Sequence, residues 1–373
     1  MKIAFCLYKF FPYGGLQRDF LHIAKECLKR NYRVLVYTMS WDGEIPDGIE
    51  FIKVPKKGLT NHTQNKKYAE WVYNDLLSQN VDCVFGFNKM PNLDIYYAAD
   101  VCFAAKKRSI LTKLLPRYKH YIQFEKAVFS PESRTRLLML TENQIINFKY
   151  FYHTQKERFI LLPPGITLDR KWSKQSDELK EIFKSKNKLA QNQKIIVQIG
   201  SDYYRKGVDR SLIAIASLPE GIKKNIVYYV IGRDKIGKFK ALAEKLNIQD
   251  QVHFLGARDD INLFLAAADL LLHPARQEAA GIVLIEAIVA GVPLIATDVC
   301  GYAPYIKKAH CGNVLVSPFS QIKFNLELNK VLINSASLEK MKKNAISFSN
   351  NNDLYSLPSR VVDYIEEYVN DKI

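Results

Sequence analysis

The amino-acid sequence predicts an α/β fold with two doubly wound parallel sheets. Short apolar runs alternate with amphipathic helical segments, as they do in parallel βαβ units. The chain has 373 residues, whereas a single hydrophobic core stops growing at roughly 250–300 residues. The segment Leu161–Gly165 contains two prolines and a glycine, which end a helix or strand, and the alternation restarts after it. We therefore predict a hinge there and two domains, at residues 1–163 and 164–352.

The first domain begins with a βαβ unit. Lys2–Tyr8 is the predicted first strand, Leu16–Arg30 the amphipathic helix, and the β-branched run Arg33–Thr38 the second strand. Four more strands are predicted at Phe51–Val54, Asp82–Phe87, Asp94–Cys102 and Arg136–Thr141, with helices at Thr63–Ser78 and Glu142–Tyr152. This alternation predicts a parallel sheet with helices on both faces.

The second domain repeats the pattern. Its strands are predicted at Lys194–Ile199, Ile226–Ile231, Gln251–Leu255, Ala268–His273 and Val292–Ala296, and its helices at Gly207–Leu218, Lys235–Leu246, Asp259–Ala267, Gly281–Ala290 and Ile322–Ile333. A polar break at Ser347–Asn352 precedes a final amphipathic segment, Asp353–Val369. We expect residues 353–373 to return to the first domain and pack on it.

The apolar runs, the cysteines and the net charge of the chain limit the classes of function that it can have. No apolar run reaches the roughly 20 residues that cross a bilayer, and the N-terminus lacks a signal-peptide cleavage site, so we predict a cytoplasmic protein. The six cysteines form no CxxC pair and no zinc-spaced cluster, which predicts reduced core thiols. The net charge of +16 predicts a polyanionic partner: nucleic acid, anionic lipid or a phosphorylated substrate.

Two glutamates eight positions apart, Glu278 and Glu286, form the strongest motif. If Gly281 opens a helix, Glu278 lies in the preceding loop and Glu286 about one and a half turns inside. The unpaired N–H groups of such a helix start bind phosphates, and here they belong to Ala280, Gly281, Ile282 and Val283. Glu286 can then accept hydroxyls of a diol such as ribose, and Glu278 those of a transferred sugar. The alternative is a surface acid followed by a partly buried helix acid.

Arg205 and Lys206 follow a predicted strand and a Gly-Ser loop. Two fixed cations there suit a diphosphate leaving group, because they neutralise the charge that develops as a glycosidic bond breaks. The chain has no Asp-x-Asp, the usual carboxylate pair for a nucleotide-sugar's divalent ion. We therefore predict no metal and no cofactor. The alternative is a solvated Arg-Lys turn.

Three further candidates lie in the first domain. Gly14 and Gly15 fill the first βα turn, where a glycine pair lets a phosphate approach the helix start, although the turn is not G-x-G-x-x-G. Asp19 lies one turn along and is either a sugar-hydroxyl acceptor or a plain helix acid. Asp100 interrupts an apolar predicted strand, and its burial is unfavourable unless it is paired or lies at the sheet's edge.

The stretch 104–132 is basic and amphipathic. Seven cations stand against Glu125 between positions 106 and 126: Lys106, Lys107, Arg108, Lys113, Arg117, Lys119 and Lys126. Apolar residues recur among them at helical spacing: Leu111, Leu114, Leu115, Tyr118, Tyr121 and Ile122. This composition predicts a segment lying in an anionic membrane interface, split into two helices at Pro116. The alternative is an ordinary surface helix packed on the core.

These motifs resemble the retaining glycosyltransferases of family 4, and within them the lipopolysaccharide core α-1,3-glucosyltransferases of Gram-negative bacteria. The resemblance covers essentially the whole chain, and its strings are Phe5–Lys9, Tyr13–Asp19, Gly86–Pro91, Ala98–Cys102, Leu162–Ile166, Lys206–Arg210, Pro274–Gly281 and Asp353–Pro358. The Glu-x7-Glu element is shared by the wider family, and the N-terminal strings are narrower.

The resemblance implies a GT-B fold, that is, two Rossmann-like domains facing across a cleft. It also implies UDP-glucose as donor and a heptose of the lipopolysaccharide inner core as acceptor. The family places the diphosphate against Gly15 and the Arg205-Lys206 pair, the donor sugar near Glu278 and the ribose on Glu286. The basic stretch corresponds to the family's membrane-docking region at the cytoplasmic face of the inner membrane. Pro116 is not expected in that region, so this chain departs from the family there.

The family's mechanism retains the configuration of the transferred sugar. The acceptor attacks on the face from which the leaving group departs, and a phosphate oxygen takes the acceptor's proton. No protein general base is then needed, and Asp19 and Asp100 become candidates for orienting the acceptor.

Two other functions remain open at this stage. UDP-sugar 2-epimerases share the architecture and bind a nucleotide diphosphate, but they need no membrane surface. A basic nucleic-acid-binding protein is the alternative without catalysis, motivated by the charge of +16, although no nucleic-acid-binding motif accompanies that charge.

Overall fold

The computed structural model describes residues 1–12, 14–106 and 108–372. These residues form two compact units. The first unit contains the described residues of Met1–Gly165 and Ser356–Ile373, and the second contains Ile166–Tyr355. Two residues singled out in the sequence, Tyr13 and Lys107, lie outside the described residues.

The described part of the first unit contains a seven-stranded parallel sheet and a small two-stranded one. The strands are β1 (Lys2–Cys6), β2 (Lys9–Phe10), β3 (Arg33–Thr38), β4 (Ser40–Trp41), β5 (Ile49–Lys53), β6 (Cys83–Gly86), β7 (Ile95–Ala98), β8 (Arg136–Met139) and β9 (Phe159–Leu161). The large sheet has the order β5-β3-β1-β6-β7-β8-β9, and β2 pairs with β4. Because β1 lies between β3 and β6, the strand order reverses there.

The helices that follow these strands cover the large sheet. They are α1 (Gly15–Lys29), α2 (Asn61–Leu76), α3 (Ile110–Leu114), α4 (Pro116–Phe129) and α5 (Glu142–Tyr152). Local chemistry explains where α5 begins. Thr141 and Gln144 form a reciprocal capping box, in which each side chain bonds the other's backbone N–H.

The described part of the second unit contains a six-stranded parallel sheet. Its strands are β10 (Lys194–Ile199), β11 (Ile226–Ile231), β12 (Val252–Gly256), β13 (Leu270–His273), β14 (Leu294–Thr297) and β15 (Gly312–Leu315), in the order β12-β11-β10-β13-β14-β15. Its helices are α6 (Lys174–Lys186), α7 (Tyr203–Lys206), α8 (Val208–Ala216), α9 (Glu220–Lys223), α10 (Gly237–Lys245), α11 (Ile261–Ala267), α12 (Ile282–Val289), α13 (Ala303–Lys308), α14 (Gln321–Ile333) and α15 (Ser335–Asn351).

The last helix, α16 (Leu357–Asn370), belongs to the first unit and packs against α1. Arg30, just after α1, joins the two helices. Its Nη1 donates to Asp363 and to Glu366, at 2.8 Å each. Tyr32 donates to the same Glu366 carboxylate at 2.8 Å.

The fold class is confirmed, but the predicted break before the last helix is wrong. The polar run Ser347–Asn352 was expected to break the chain, but α15 continues through it to Asn351. Buried Ala345 and Ser349 lie on the packed face of this helix, so packing outweighs the weak helix propensity of the serines and asparagines.

All six cysteines are buried, as the sequence predicts. Among the described residues, no helix combines the length and the apolar character needed to cross a membrane.

Candidate active site

The candidate site of the second unit lies where the strand order of its sheet reverses. β10 lies between β11 and β13. Open parallel sheets bind ligands at the carboxyl ends of the strands at such a switch point. Three of the predicted site residues follow these two strands: Arg205 and Lys206 lie in α7 after β10, and Glu278 lies in the loop after β13.

A close backbone contact holds the segment after β10 against the segment after β13. Gly207 follows α7 with φ +76°, and a Cβ at this position would lie 2.1 Å from the carbonyl oxygen of Pro274. Only glycine permits that approach. The N–H of Arg276 donates to the carbonyl of Arg205 at 2.7 Å. The Arg276 guanidinium also binds both carboxylate oxygens of Asp209, at 2.7 Å each.

The basic side chains converge on the carboxylate of Glu278. Its Oε2 forms an ion pair with Nζ of Lys206 and accepts from Nη1 of Arg205 at 3.2 Å. Nε2 of His273 lies 3.7 Å from the same oxygen. The side chains of Lys206 and Glu278 are 11% and 13% exposed. The structure thus brings Arg205, Lys206 and Glu278 into one cluster.

The surroundings keep Glu278 ionised. Burial alone would raise the pKa of Glu278, but the contacts from His273 and Lys206 outweigh it and hold the pKa well below its usual range. Burial lowers the pKa of His273, so its imidazole is neutral at neutral pH. The cluster therefore presents two cations side by side, both oriented by one ionised carboxylate.

The loop that contains Glu278 leads into α12 through Gly281. Gly281 has φ +82°, a left-handed conformation that glycine adopts without strain. The helix begins at Ile282, and its first N–H groups have no acceptor within the helix. Ala280, Gly281, Ile282 and Val283 thus lie at the helix N-terminus, where the dipole favours an anion.

Glu286 has a partner that sequence reasoning missed. Its buried carboxylate forms an ion pair with Arg170, which ends a short 3-10 helix, Leu168–Arg170. A buried charge is strongly unfavourable unless it is paired, and Arg170 supplies the pairing. The two residues lie far apart in the sequence, so no local spacing signals the contact.

The predicted glycine pair of the first unit has two separate roles. Gly14 caps α1, and a Cβ there would meet Oε1 of Gln17 at 1.8 Å. A Cβ at Gly15 would have no neighbouring atom within 4 Å. Gly14 therefore packs against the end of the Gln17 side chain, whereas Gly15 borders open space that a ligand can enter.

The two aspartates of the first unit differ. The carboxylate of Asp19, on α1, accepts from the hydroxyl of Tyr97 at 2.7 Å. Asp100 was expected to interrupt an apolar strand, and that is wrong, because β7 ends at Ala98 and Asp100 is exposed beyond it. Because Asp100 is exposed, its carboxylate has no cost of burial, and that argument for a functional role no longer applies. Its backbone carbonyl accepts from the side chain of Gln144 at 3.0 Å.

The basic stretch forms two helices that meet at Pro116, as predicted. Pro116 is the first residue of α4, where its missing N–H is harmless. The apolar side chains of the first helix and its junction are 53–79% exposed: Ile110, Leu111, Leu114 and Leu115. The second helix instead buries Phe124, Val128 and Phe129 on the core. The alternative of an ordinary surface helix packed on the core thus describes α4. The exposed apolar side chains belong to α3 and its junction with α4.

In residues 1–12, 14–106 and 108–372, no group of three or more His, Cys, Asp and Glu side chains is placed to hold a metal ion. Metal independence of the reaction stays a prediction.

Comparisons with known proteins show the family to which the chain belongs. Residues 180–348 match the family model "Glycosyl transferases group 1". The chain is 51% identical over 368 residues to the lipopolysaccharide glucosyltransferase WaaG of Escherichia coli (strain K12), covering 98% of both chains. It is also 30% identical to the N-acetyl-alpha-D-glucosaminyl L-malate synthase of Bacillus anthracis, over 33% of this chain and 32% of that protein.

Solved structures show the same fold. The crystal structure of WaaG superposes with a TM-score of 0.93 at 51% identity, covering 97% of this chain and 99% of that one. Anabaena HepE in complex with UDP and glucose superposes with a TM-score of 0.75 at 19% identity, covering 98% and 100%, a likeness of fold alone. The fold is GT-B, and the chain is a glycosyltransferase that belongs to the WaaG family of the group 1 glycosyltransferases.

Proposed function

We propose that this glycosyltransferase moves glucose from UDP-glucose to a heptose of the lipopolysaccharide inner core, in an α-1,3 linkage and with retained configuration. The observation that carries the proposal is the identity of 51% over 98% of the chain to the lipopolysaccharide glucosyltransferase of E. coli. The cluster of Arg205, Lys206 and Glu278 supports it, because this chemistry suits a sugar diphosphate.

The second unit offers hydrogen-bonding and charged groups that suit each part of a UDP-sugar. The helix N-terminus at Gly281 and the cations Arg205 and Lys206 suit the diphosphate. Glu278 suits hydroxyls of the transferred glucose, since an ionised carboxylate is a strong acceptor. Glu286, oriented by Arg170, suits the two ribose hydroxyls.

The proposed reaction breaks the bond between the anomeric carbon and the diphosphate oxygen. Negative charge grows on UDP as it leaves, and Lys206 and Arg205 stabilise that charge. The acceptor oxygen bonds to the same face of the anomeric carbon, and its proton passes to the departing phosphate. The carboxylates Asp19 and Asp100 are proposed to orient the acceptor hydroxyls.

We further propose that α3 and the basic residues around it dock on the anionic cytoplasmic face of the inner membrane. Four exposed aliphatic side chains cluster at 110–115, next to exposed cations such as Arg108, Lys113 and Arg117. Cations attract anionic headgroups, and aliphatic side chains partition into the interface. Docking would bring the enzyme to a lipid-anchored acceptor.

The reaction is tested by supplying a panel of UDP-sugars and a heptose-terminated lipopolysaccharide, and then measuring the mass of the product by mass spectrometry. We expect a gain of one hexose from UDP-glucose and release of UDP only when the acceptor is present. UDP release without acceptor would favour the epimerase-like alternative. A linkage determined as other than α-1,3 would overturn that part of the proposal.

Metal independence is tested in the same assay with excess EDTA. We expect full activity, because Arg205, Lys206 and the start of α12 take the place of a metal at the diphosphate. Loss of activity with recovery on added magnesium or manganese would overturn this arrangement.

A further inference from the structure

A buried histidine beside Glu278 has no role in the function proposed so far. His273 ends β13, where it pairs in register with Ala296, and its side chain is wholly buried. Among the described residues, neither ring nitrogen has a hydrogen-bond partner. Buried polar groups are nearly always satisfied, so an unsatisfied one in a site calls for a functional explanation.

The polar group that His273 faces is the carboxylate of Glu278. Its Nε2 lies 3.7 Å from Oε2, which is slightly beyond a hydrogen bond. Lys206 and Arg205 contact that same oxygen. Three groups converge on Oε2 of Glu278. Lys206 and Arg205 are the closest, and their contacts leave His273 outside hydrogen-bond distance.

The two cations are also the groups assigned to the diphosphate. When the Lys206 ammonium is drawn toward a phosphate oxygen, its contact with Glu278 weakens. The side chain of Glu278 is only 13% exposed, so water does not replace that contact. A carboxylate that must accept the hydroxyls of a sugar then needs another donor to fix its orientation. His273 lies at the end of a central strand, and its Nε2 is 3.7 Å from that carboxylate.

We propose that His273 is a positioning residue, which donates from Nε2 to Glu278 and holds that carboxylate toward the transferred sugar while Lys206 and Arg205 serve the diphosphate. This inference rests on the proposed function, because it takes Glu278 to contact the sugar. Burial lowers the pKa of His273, so the ring is neutral and carries one N–H. The proposal places that hydrogen on Nε2.

The test compares two substitutions at this position. His273→Leu keeps the volume and removes the donor, and His273→Gln keeps an N–H donor near the position of Nε2. We expect the leucine variant to lose about 10- to 100-fold in kcat, the rate equivalent of a hydrogen bond to a charged group. The glutamine variant should recover to within about threefold of wild type. Affinity for UDP, which lacks the sugar, should not change in either variant.

A double-mutant cycle shows whether His273 acts through Glu278. In a Glu278→Gln background, His273→Leu should cost nothing further, because the carboxylate that it orients is gone. Additive losses would overturn the proposal. If Glu278→Gln alone leaves transfer intact, the assignment of Glu278 in the proposed function fails instead. If Glu278→Gln is inactive and His273→Leu matches wild type, only the inference about His273 fails.

Loss of folding in the leucine variant would not leave the proposal untested. The comparison then uses His273→Gln and His273→Asn, because glutamine places its N–H near Nε2 and asparagine near Nδ1. We expect transfer by the glutamine variant to be at least about tenfold faster than by the asparagine variant, at equal melting temperature. Equal rates for the two variants would overturn the proposal.

Discussion

At the scale of single residues, Glu286 gives the most direct test of the donor site. We expect Glu286→Ala to weaken UDP binding, since a charge-assisted contact to the ribose diol contributes about 1.5–3 kcal/mol per hydrogen bond. The change also leaves Arg170 without its buried partner. Isothermal titration calorimetry with UDP measures the effect, and the exposed Glu339→Ala in the same unit is the control. Unchanged UDP affinity in a folded Glu286→Ala variant would remove Glu286 from the site.

Lys206 should matter more for the rate than for binding. The negative charge on the leaving UDP grows toward the transition state, so Lys206→Ala should lower kcat much more than it weakens UDP-glucose binding. Single-turnover rates and donor Kd values separate the two effects. Equal losses in both would make Lys206 a contact of the bound donor only.

Sequence reasoning at this scale predicts positions well where they depend on a local spacing. The loop position of Glu278, the helix start at Gly281 and the helix position of Glu286 were predicted, because loop, helix start and helix interior follow one another along the chain, and their roles stay predictions. Arg170 and the geometry of His273 were not found, because their partners are brought to them by tertiary structure. Asp100 was misjudged for a related reason, since nothing local shows that β7 stops at Ala98.

At the scale of elements, α3 and the start of α4 carry the prediction of membrane docking. Each Lys or Arg near an anionic leaflet contributes about 1 kcal/mol, and the attraction decays over roughly 8 Å at physiological salt. Replacing Lys106, Lys107, Lys113 and Arg117 with glutamine should therefore release the enzyme from anionic vesicles at low salt. UDP affinity should stay unchanged. Sedimentation with vesicles measures the release.

The matched control removes the same charge elsewhere. Lys240, Lys245, Lys340 and Lys343 are exposed lysines of the second unit, and their quadruple glutamine variant should still bind vesicles. If the first variant sediments as wild type does, the membrane role of 104–132 fails. Replacing Leu111 and Leu114 with serine should remove the binding that persists at high salt.

Elements were predicted best where pattern and packing agree. The sequence-based bounds of β3, β10, β11 and α5 coincide with those in the structure. The strands β9 and β15 were missed, since runs of three or four residues carry little periodicity. Helix α6 was missed as well, because it is mostly polar and its pattern resembles that of a loop.

At the scale of the whole molecule, the first unit is assembled from two segments that are far apart in the sequence, and Arg30 joins them. Arg30→Ala should lower the free energy of unfolding by about 1–2 kcal/mol, because it removes partly buried charged hydrogen bonds to Asp363 and Glu366. Arg33→Ala is the matched control, since its pair with Glu50 is largely exposed. Denaturant titration of both variants measures the difference, and equal losses would contradict the linking role of Arg30.

This arrangement of the chain also sets an order of events during synthesis. The ribosome completes Met1–Gly165 first, but it makes the helix that covers α1 only after Ile166–Tyr355. At 5–20 residues per second, that segment takes about 10–40 s to emerge. During this time the nascent first unit lacks the apolar face formed by Val361, Val362, Ile365 and Val369. A chaperone that binds exposed apolar surface should therefore associate with nascent chains that end before Ser356 and release them once α16 has emerged from the ribosome.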